Sequence, residues 1–209
     1  PSLRLLFLEQ EESGSDVSAV SIPELIEREP VATEADVRAL HTGLDPEDPA
    51  VFQLSGGTTG IPKLIPRSHN DYAFNSHLAA SVCDIRDGDV LLDVLPISHN
   101  LPLACPGMQG FLFRGATVSL VASTWSDGIL DRVESDRATH IHVVPALLIK
   151  LTEALAARPR DVSSMRVIQS GGQRLQPETR TRAAALFPKA TVQENFGMAE
   201  GLLMFVRLD

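Results

Sequence analysis

Apolar runs of strand length alternate with longer helical segments from Val51 to the end of the sequence, and this alternation constrains the fold more than any other feature. The intervening segments are about ten to fifteen residues long, which is the usual length of a helix that connects two parallel strands. Because such helices return from the end of one strand to the start of the next, they cover both faces of the sheet. The sequence therefore predicts an α/β fold, layered α/β/α with a mainly parallel sheet.

The predicted strands and helices follow one another in the order that such a sheet requires. Strands are predicted at 51–54, 90–96, 116–121, 139–144, 165–169, 190–193 and, near the end, 202–209. Helices are predicted at 68–82, 103–113, 126–137, 146–157 and 177–187. Ligands of parallel sheets bind at the carboxyl ends of the strands, so the turns after these strands are the candidate positions for a site.

The first 48 residues differ from the rest of the chain. The apolar run 3–8 predicts a strand, residues 22–26 predict a short helix, and the acidic, proline-containing segment 30–49 is typical of a linker with weak helical periodicity. We expect residues 1–48 to be the end of a preceding α/β subdomain plus this linker, and residues 49–209 to form a ligand-binding α/β subdomain. Both ends of the sequence are strand-like, which favours a piece of a longer protein.

The composition argues against several classes of function. A net charge of −9 disfavours a general binder of nucleic acid or of anionic membranes. The sequence contains no apolar run of about 18 residues and no signal-peptide pattern. Its two cysteines, Cys83 and Cys105, are too few for a disulfide framework or a zinc knuckle, so a reducing, cytoplasmic compartment is expected.

The segment Ser55–Lys63 (SGGTTGIPK) lies between a predicted strand and a predicted helix. Its glycines let backbone N–H groups approach an anion, its threonine hydroxyls add donors, and Lys63 adds a positive charge. These groups favour a phosphate-binding loop over a simple surface turn. The spacing differs from that of a Walker A loop, since Pro62 precedes the lysine and no Ser or Thr follows it.

Three further turns follow predicted strands. In the segment 96–100, His99 suits a base or a hydrogen-bonding gate, although a lone histidine is also typical of a structural role. Asn100 offers an uncharged amide, which suits a neutral hydroxyl or a carboxylate more than an ammonium group. The paired glycines of 170–173 allow a flat ring to lie against the backbone or simply a tight connection. In 195–201, an aromatic side chain precedes a glutamate, which is typical of a Mg²⁺ ligand or of a solvated surface acid.

The four segments, in the order S-G-G-T-T-G-I-P-K, P-I-S-H-N, S-G-G-Q-R-L and N-F-G-M-A-E-G, resemble the adenylate-forming superfamily of acyl/aryl-CoA synthetases, adenylation domains and luciferases. The stretch 54–72 is similar in particular to the stand-alone aryl-acid AMP ligases of siderophore biosynthesis, and the resemblance covers about 48–209. It implies a ligase that uses ATP and Mg²⁺ to convert an aryl acid to an aryl adenylate and pyrophosphate. The acyl group would then pass to the phosphopantetheine thiol of an aryl carrier protein.

The resemblance also implies roles for individual positions, and implies that residues 49–209 bind both ATP and the aryl acid. The residues implied for ATP are Ser55, Gly56, Gly57, Thr58, Thr59, Gly60, Lys63, Gly171, Gly172, Gln173, Asn195, Phe196, Gly197, Met198, Ala199 and Glu200. Those implied for the aryl acid are His99, Asn100, Cys105, Gly172, Ala199 and Leu203. The catalytic set is Thr58, Thr59, Lys63, His99 and Glu200, with Glu200 as the Mg²⁺ ligand.

The aryl pocket favours salicylate over 2,3-dihydroxybenzoate. The dihydroxybenzoate enzymes tend to carry Ser and Val at the positions of Cys105 and Leu203, and a thiol and a bulkier Leu make the pocket floor apolar and narrow. A buried hydroxyl without a partner costs about 1–3 kcal/mol, which disfavours the second hydroxyl. Cys105 and Leu203 are equally compatible with a purely structural role. Gln173, Asn195 and the segment 101–103 depart from the usual pattern and leave an unusual aryl acid open.

Several alternatives remain open at the level of the sequence. A 2,3-dihydroxybenzoate–AMP ligase or an aryl-CoA ligase would share all four segments, and a catalytically silent homologue would act as a binding module. Thr58, Thr59, Lys63 and Glu200 argue against the silent homologue. The resemblance also implies a ribose-binding aspartate, a hinge and a small C-terminal domain with a catalytic lysine beyond Asp209, so we expect this segment alone to be inactive.

Overall fold

The structure is a computed structural model that describes residues 6–8, 19–21, 27, 32–54, 63–121, 125–206 and 208. It divides into two compact units, Pro1–Asp45 and Pro46–Asp209. The predicted helix at 22–26 lies outside the described residues, as does most of the Ser55–Lys63 loop. None of the helices in the described ranges has both the length and the apolar character that a membrane crossing needs.

The elements whose bounds lie within the described residues of the first unit are two short parallel strands and a helix. Strand β1 is Leu6–Leu8, β2 is Ala19–Ser21 and helix α1 is Glu34–His41. Residues 34–41 of the predicted linker, within which weak helical periodicity was noted, form α1. This helix begins with a capping box: the Asp36 N–H donates to Thr33 Oγ1 at 3.2 Å and the Thr33 N–H donates to Asp36 Oδ2 at 2.8 Å. Because α1 buries no residue, its apolar periodicity was too weak to reveal it, and the cap was the better signal.

The second unit contains eight strands and six helices within its described ranges. The strands are β3 Pro49–Leu54, β4 Leu64–Ser68, β5 Val90–Asp93, β6 Thr117–Leu120, β7 His140–Val143, β8 Val167–Ser170, β9 Thr191–Gly197 and β10 Leu203–Phe205. The helices are α2 His69–Val82, α3 Asn100–Ala104, α4 Gly107–Phe113, α5 Ser126–Ser135, α6 Pro145–Ala157 and α7 Pro177–Leu186.

A six-stranded sheet in the order β10-β9-β8-β7-β5-β6 organises this unit. Neighbouring strands from β9 to β6 are parallel, and β10 alone in this sheet pairs antiparallel, with Leu203 opposite Gly197. The predicted α/β fold with a mainly parallel sheet is therefore confirmed. The carboxyl ends of β5, β8 and β9 lie at one edge, where the predicted site turns begin.

One face of the sheet is apolar. Ile141, Val143 and Ile168 project from it into a core that includes Leu148 of α6 and Ile129 of α5. These side chains are at most 2% exposed, so they contribute the full hydrophobic term, about 25 cal/mol for each Å² of apolar surface removed from water. This face accounts for the predicted helices α5, α6 and α7, whose apolar stripes pack on it.

The opposite face of the same strands is polar although it is equally buried. His140, His142, Gln169 and Gln193 alternate with the apolar residues of β7, β8 and β9, and each is fully buried. Gln169 Nε2 donates to Gln193 Oε1 at 2.9 Å, and Gln193 Nε2 donates to the Val206 carbonyl at 2.9 Å. Phe111 of α4 covers the two histidines, with ring centroids 5.0 and 6.4 Å away.

Three predicted elements of this unit need correction. Residues 64–67 were assigned to no element and Ser68 to the start of the helix, but residues 64–68 form β4. Pro66 is accommodated because the β3–β4 hairpin has only two strands. The single helix predicted at 103–113 is two helices, because Pro106 has no N–H to continue α3. The strand predicted to end at 193 continues to Gly197, since β10 pairs with it.

Candidate active site

The phosphate-binding loop predicted from the sequence is bracketed by a two-stranded hairpin. β3 ends at Leu54 and β4 begins at Leu64, and their antiparallel pairing brings the two ends of the intervening segment together. Lys63 is exposed immediately before β4, while Ser55, Gly56, Gly57, Thr58, Thr59 and Gly60 lie outside the described residues. Ser68, at the end of β4, caps α2 by accepting a hydrogen bond from the Asp71 N–H at 3.2 Å.

Residues of three segments that are far apart in sequence meet at the carboxyl edge of the sheet. A Cβ on Gly171, after β8, would lie 2.2 Å from Asn195 Oδ1 of β9 and 3.3 Å from Leu101 Cδ2 of α3. A side chain at 171 would therefore displace the Asn195 amide from its present position. The oxygen atoms Asn100 Oδ1 and Asn195 Oδ1 are buried, and neither has a hydrogen-bond partner among the described residues. Buried amide oxygens without partners at a strand edge are available to a ligand hydroxyl.

The two residues predicted to set the aryl specificity lie in one apolar cluster. Cys105 and Tyr72 are buried in this cluster, and Leu203 of β10 packs against it. Asn75 of α2 donates through Nδ2 to Cys105 Sγ at 3.0 Å. Burial raises the pKa of the Cys105 thiol to about 11, so the thiol is neutral and adds no charge to this apolar cluster. The predicted roles of Cys105 and Leu203 toward an aryl acid stay predictions.

The remaining predicted residues lie around this edge. His99 is exposed at the N-cap of α3, and Gly172 and Gln173 are exposed in the turn after β8. Asn195, Phe196 and Gly197 belong to β9, and Met198, Ala199 and Glu200 form the turn that leads to β10. This turn is closed by the Met198 N–H, which donates to the Leu202 carbonyl at 3.1 Å.

The carboxylate of Glu200 at this edge is compatible with a Mg²⁺ ion that is also bound by the phosphates of a ligand. Glu200 presents an exposed carboxylate on the turn after β9. The described part of the chain contains no group of three or more His, Cys, Asp or Glu side chains that could hold a metal ion by themselves. Mg²⁺ is commonly bound by one or two carboxylates plus substrate phosphates rather than by an all-protein cage, so a single carboxylate is compatible with it.

Two polar residues near this edge had not been assigned a role from the sequence. Arg67 of β4 is 3% exposed and donates through Nη1 to the Ala199 carbonyl at 3.0 Å. Asp93, the last residue of β5, is 2% exposed, and burial raises the pKa of its carboxyl to about 7. Both show one sign of a special role in the sequence: each is a charged residue inside a strand-like run. Charged residues of strands usually lie at the surface, so this sign does not predict burial.

Comparison with known proteins assigns the family. The model of a family described as AMP-binding enzyme matches residues 4–209. The chain belongs to the AMP-binding enzyme family. The match includes all four segments identified in the sequence, and the suspected relation to adenylate-forming enzymes is thereby confirmed.

Curated relatives carry names that agree with this assignment. The chain is 39% identical over its whole length to a Salicylyl-CoA synthase / salicylate adenylyltransferase of Streptomyces sp, covering 37% of that protein. It is 42% identical over 78% of its length to the Salicyl-AMP ligase / salicyl-S-ArCP synthetase of Mycobacterium tuberculosis, of which it covers 29%. It is 41% identical over 78% of its length to the 2,3-dihydroxybenzoate-AMP ligase of Bacillus subtilis, of which it covers 30%. The chain thus spans about a third of the length of these relatives.

A solved structure agrees with the fold. The apo structure of MbtA from Mycobacterium smegmatis superposes with a TM-score of 0.79 at 32% identity, covering 98% of this chain and 36% of that one. The fold of this chain is therefore the one found in an experimentally determined structure.

Proposed function

We propose that this chain forms the ATP- and aryl-acid-binding part of an enzyme that adenylates an aryl carboxylic acid, with salicylate as the favoured substrate. The observation that carries the proposal is the meeting of Leu101, Gly171 and Asn195 at the carboxyl edge, within a chain of the AMP-binding family. These three residues lie in or next to three of the four segments identified in the sequence, which supports the proposal. The names of the salicylate relatives support the choice of substrate.

The reaction would join the two substrates without a covalent enzyme intermediate. A carboxylate oxygen of the aryl acid attacks the α-phosphorus of ATP in line, the bond to the bridging oxygen breaks, and pyrophosphate leaves with the electron pair. The chain would contribute by placing groups and by balancing charge. Lys63 would neutralise phosphate oxygens from the end of the loop, and His99 would lie beside the reacting carboxylate. Mg²⁺, held by Glu200, would neutralise further phosphate charge when it is bound.

Asn100, at the carboxyl edge of the sheet, would select an aryl acid with an uncharged ring substituent next to its carboxylate. Asn100 carries a buried amide oxygen that has no partner among the described residues, and a hydroxyl ortho to the carboxylate would donate to it. An ammonium group would find a neutral amide where it needs a carboxylate, which disfavours amino acids. Cys105 and Leu203 would close the pocket beside the ring with apolar surface.

The acyl acceptor is proposed to be the phosphopantetheine thiol of an aryl carrier protein. The Mycobacterium tuberculosis relative is named for transfer to a carrier, whereas the Streptomyces relative is named a CoA synthase. CoA is therefore the second candidate acceptor. We propose a cytoplasmic location, to which the two buried, free thiols Cys83 and Cys105 are well suited.

Pyrophosphate exchange by the full-length protein tests the reaction. We expect exchange with salicylate to exceed that with 2,3-dihydroxybenzoate, benzoate and amino acids in kcat/KM. Glu200→Gln should lower exchange by at least about a hundredfold, because the variant removes one carboxylate charge from the phosphate site. Near-normal exchange in this variant would remove Glu200 from the metal role, and no exchange with any aryl acid would contradict the proposal.

The substrate preference has its own test. Cys105→Ser combined with Leu203→Val should shift the ratio of kcat/KM values toward 2,3-dihydroxybenzoate by about tenfold, because a hydroxyl partner and more room replace an apolar wall. Cys83→Ser is the matched control, since Cys83 is a second buried thiol outside this cluster. An unchanged ratio in the double variant would assign Cys105 and Leu203 to the core alone.

A further inference from the structure

A single buried arginine joins the hairpin of the phosphate loop to the turn that carries Glu200. Arg67 lies on β4, four residues after Lys63, and is 3% exposed. A buried cation is costly unless its donors are satisfied. The partners of Arg67 therefore indicate why a guanidinium is placed there.

The guanidinium contacts three different groups. Nε forms an ion pair with Asp71 in the first turn of α2, and Cζ lies 5.3 Å from the centroid of the Tyr72 ring. Nη1 donates to the Ala199 carbonyl at 3.0 Å, across 132 positions of sequence. That carbonyl belongs to the peptide bond that leads directly into Glu200.

The turn after β9 also packs directly on the guanidinium. Gly201 has φ = +110°, and a Cβ at this position would lie 3.2 Å from Arg67 Nη2 and 3.3 Å from Cζ. Nη2 is buried and has no hydrogen-bond partner among the described residues. Its N–H groups are therefore available to an acceptor at this turn. A lysine ammonium could not reproduce this planar fork, which holds Asp71 and Ala199 at the same time.

We propose that Arg67 is a positioning residue that fixes the turn 198–201, and with it Glu200, against the hairpin that carries Lys63. This inference rests on the proposed function, in which Glu200 holds Mg²⁺ and Lys63 approaches the phosphates. Lys63 directly precedes a strand of the two-stranded hairpin, and Glu200 lies in the turn between two strands of the six-stranded sheet. Arg67 links those sheets through one side chain.

Amide hydrogen exchange of the nucleotide-free, full-length protein tests the link without relying on activity. Arg67→Lys keeps the charge but loses the fork, and exchange of a peptide covering 198–203 should become at least about tenfold faster. Arg160→Lys is the matched control, because the Arg160 side chain is also 3% exposed and also forms ion pairs, with Asp127 and Asp131. Unchanged exchange at 198–203 in Arg67→Lys would overturn the proposal.

The same contact can be broken from its other side if Arg67→Lys does not fold. Gly201→Ala places a methyl group against the guanidinium and should accelerate exchange of the same peptide. Gly88→Ala is the control for a general loss of stability, because Gly88 also has a positive φ, +83°, but a Cβ there would meet nothing within 4 Å. Equal effects of the two variants on the 198–203 peptide would overturn the proposal.

The Mg²⁺ dependence of pyrophosphate exchange distinguishes this inference from the proposed function. In Arg67→Lys we expect the half-saturating Mg²⁺ concentration to rise by about fivefold to tenfold, with little change in KM for the aryl acid. A uniform fall in kcat with the Mg²⁺ response unchanged would contradict the positioning role. If the unmodified protein lacks exchange with aryl acids, the proposed function fails, and the hydrogen-exchange result still decides whether Arg67 fixes the turn.

Discussion

The two faces of the six-stranded sheet are built from the same strands and are equally buried, yet they differ in chemistry. One face presents Ile141, Val143 and Ile168, and the other presents His142 and Gln169. Apolar burial is favourable whatever the relative orientation of the partners, whereas a hydrogen bond is sensitive to distance and angle. The comparison indicates that the apolar face supplies most of the stability, while the polar face fixes the alignment of the strand ends.

The polar face leads to the candidate site. Gln169 and Gln193 connect β8 to β9, and Gln193 also holds the Val206 carbonyl just after β10. The turns that carry Gly171 and Glu200 follow β8 and β9 directly. A shift of one strand against the next would therefore move one side of the site relative to the other.

The largest effect is expected on the apolar face. Ile141→Ala should lower the free energy of unfolding by about 3–4 kcal/mol, because Ile141 is 2% exposed and the variant leaves a cavity. Urea unfolding followed by circular dichroism measures it. Ile149→Ala, at a position 40% exposed, is the control and should cost about 1 kcal/mol or less. Equal costs at the two positions would contradict the assignment of the core to this face.

A smaller effect is expected on the polar face, and it should be partly reversible. Gln169→Leu should cost about 2 kcal/mol, because Gln193 Oε1 loses the donor that satisfies it. Adding Gln193→Leu should recover part of this loss, since the unpaired oxygen is then removed as well. Urea unfolding of the two single variants and the double variant gives the coupling. Strict additivity would show that the two glutamines do not act as a pair.

The smallest effect concerns Asp93 and depends on pH. Burial raises the pKa of this carboxyl from 3.8 to about 7, so its contribution to stability is complete below pH 3.8 and is lost as the pH rises toward 7. Asp93→Asn should therefore stabilise the protein at pH 8 and have a much smaller effect near pH 4. Thermal unfolding across this range measures the difference, with the exposed Asp87→Asn as control.

The histidines of the same face have the opposite dependence on pH. Burial lowers the pKa of His140 to about 4 and that of His142 to about 3, from 6.5. Both folded-state pKa values lie below the unfolded value, so these groups destabilise the protein as the pH falls below 6.5. In the Asp93→Asn variant this loss is no longer offset, and stability should fall more steeply in acid. A difference between Asp93→Asn and the unmodified protein that is constant with pH would contradict the assigned pKa of Asp93.

The alternation of strands and helices was predictable because parallel strands produce short apolar runs with clear limits. The strands β5, β6 and β7 lie within their predicted ranges, and β8 extends one residue beyond its range, to Ser170. The hairpin strand β4 was missed because Pro66 is unfavourable in most strands, and α1 was missed because it has no buried face. These are local failures with local causes.

The contacts between distant side chains could not be predicted in the same way. Arg67 reaches a carbonyl 132 positions away, and Asn195 fills the space beside Gly171, but neither contact leaves a periodic signal. The burial of Asp93 could not be predicted either, since a carboxylate inside an apolar run is normally at the surface. Such residues are identified only when the fold has brought their partners together.

The antiparallel pairing of β10 makes the length of one short turn a control on the pocket. Leu203 pairs opposite Gly197 and packs beside Cys105, whereas the next residue, Met204, is 58% exposed. Side chains alternate along a strand, so a slip by a single residue would exchange these two positions. Deletion of one residue between β9 and β10 would bring Met204 to the position of Leu203, and would replace a leucine wall with a methionine wall without substituting any residue of the proposed pocket. The length of this turn is thus a means of changing the shape of the proposed pocket.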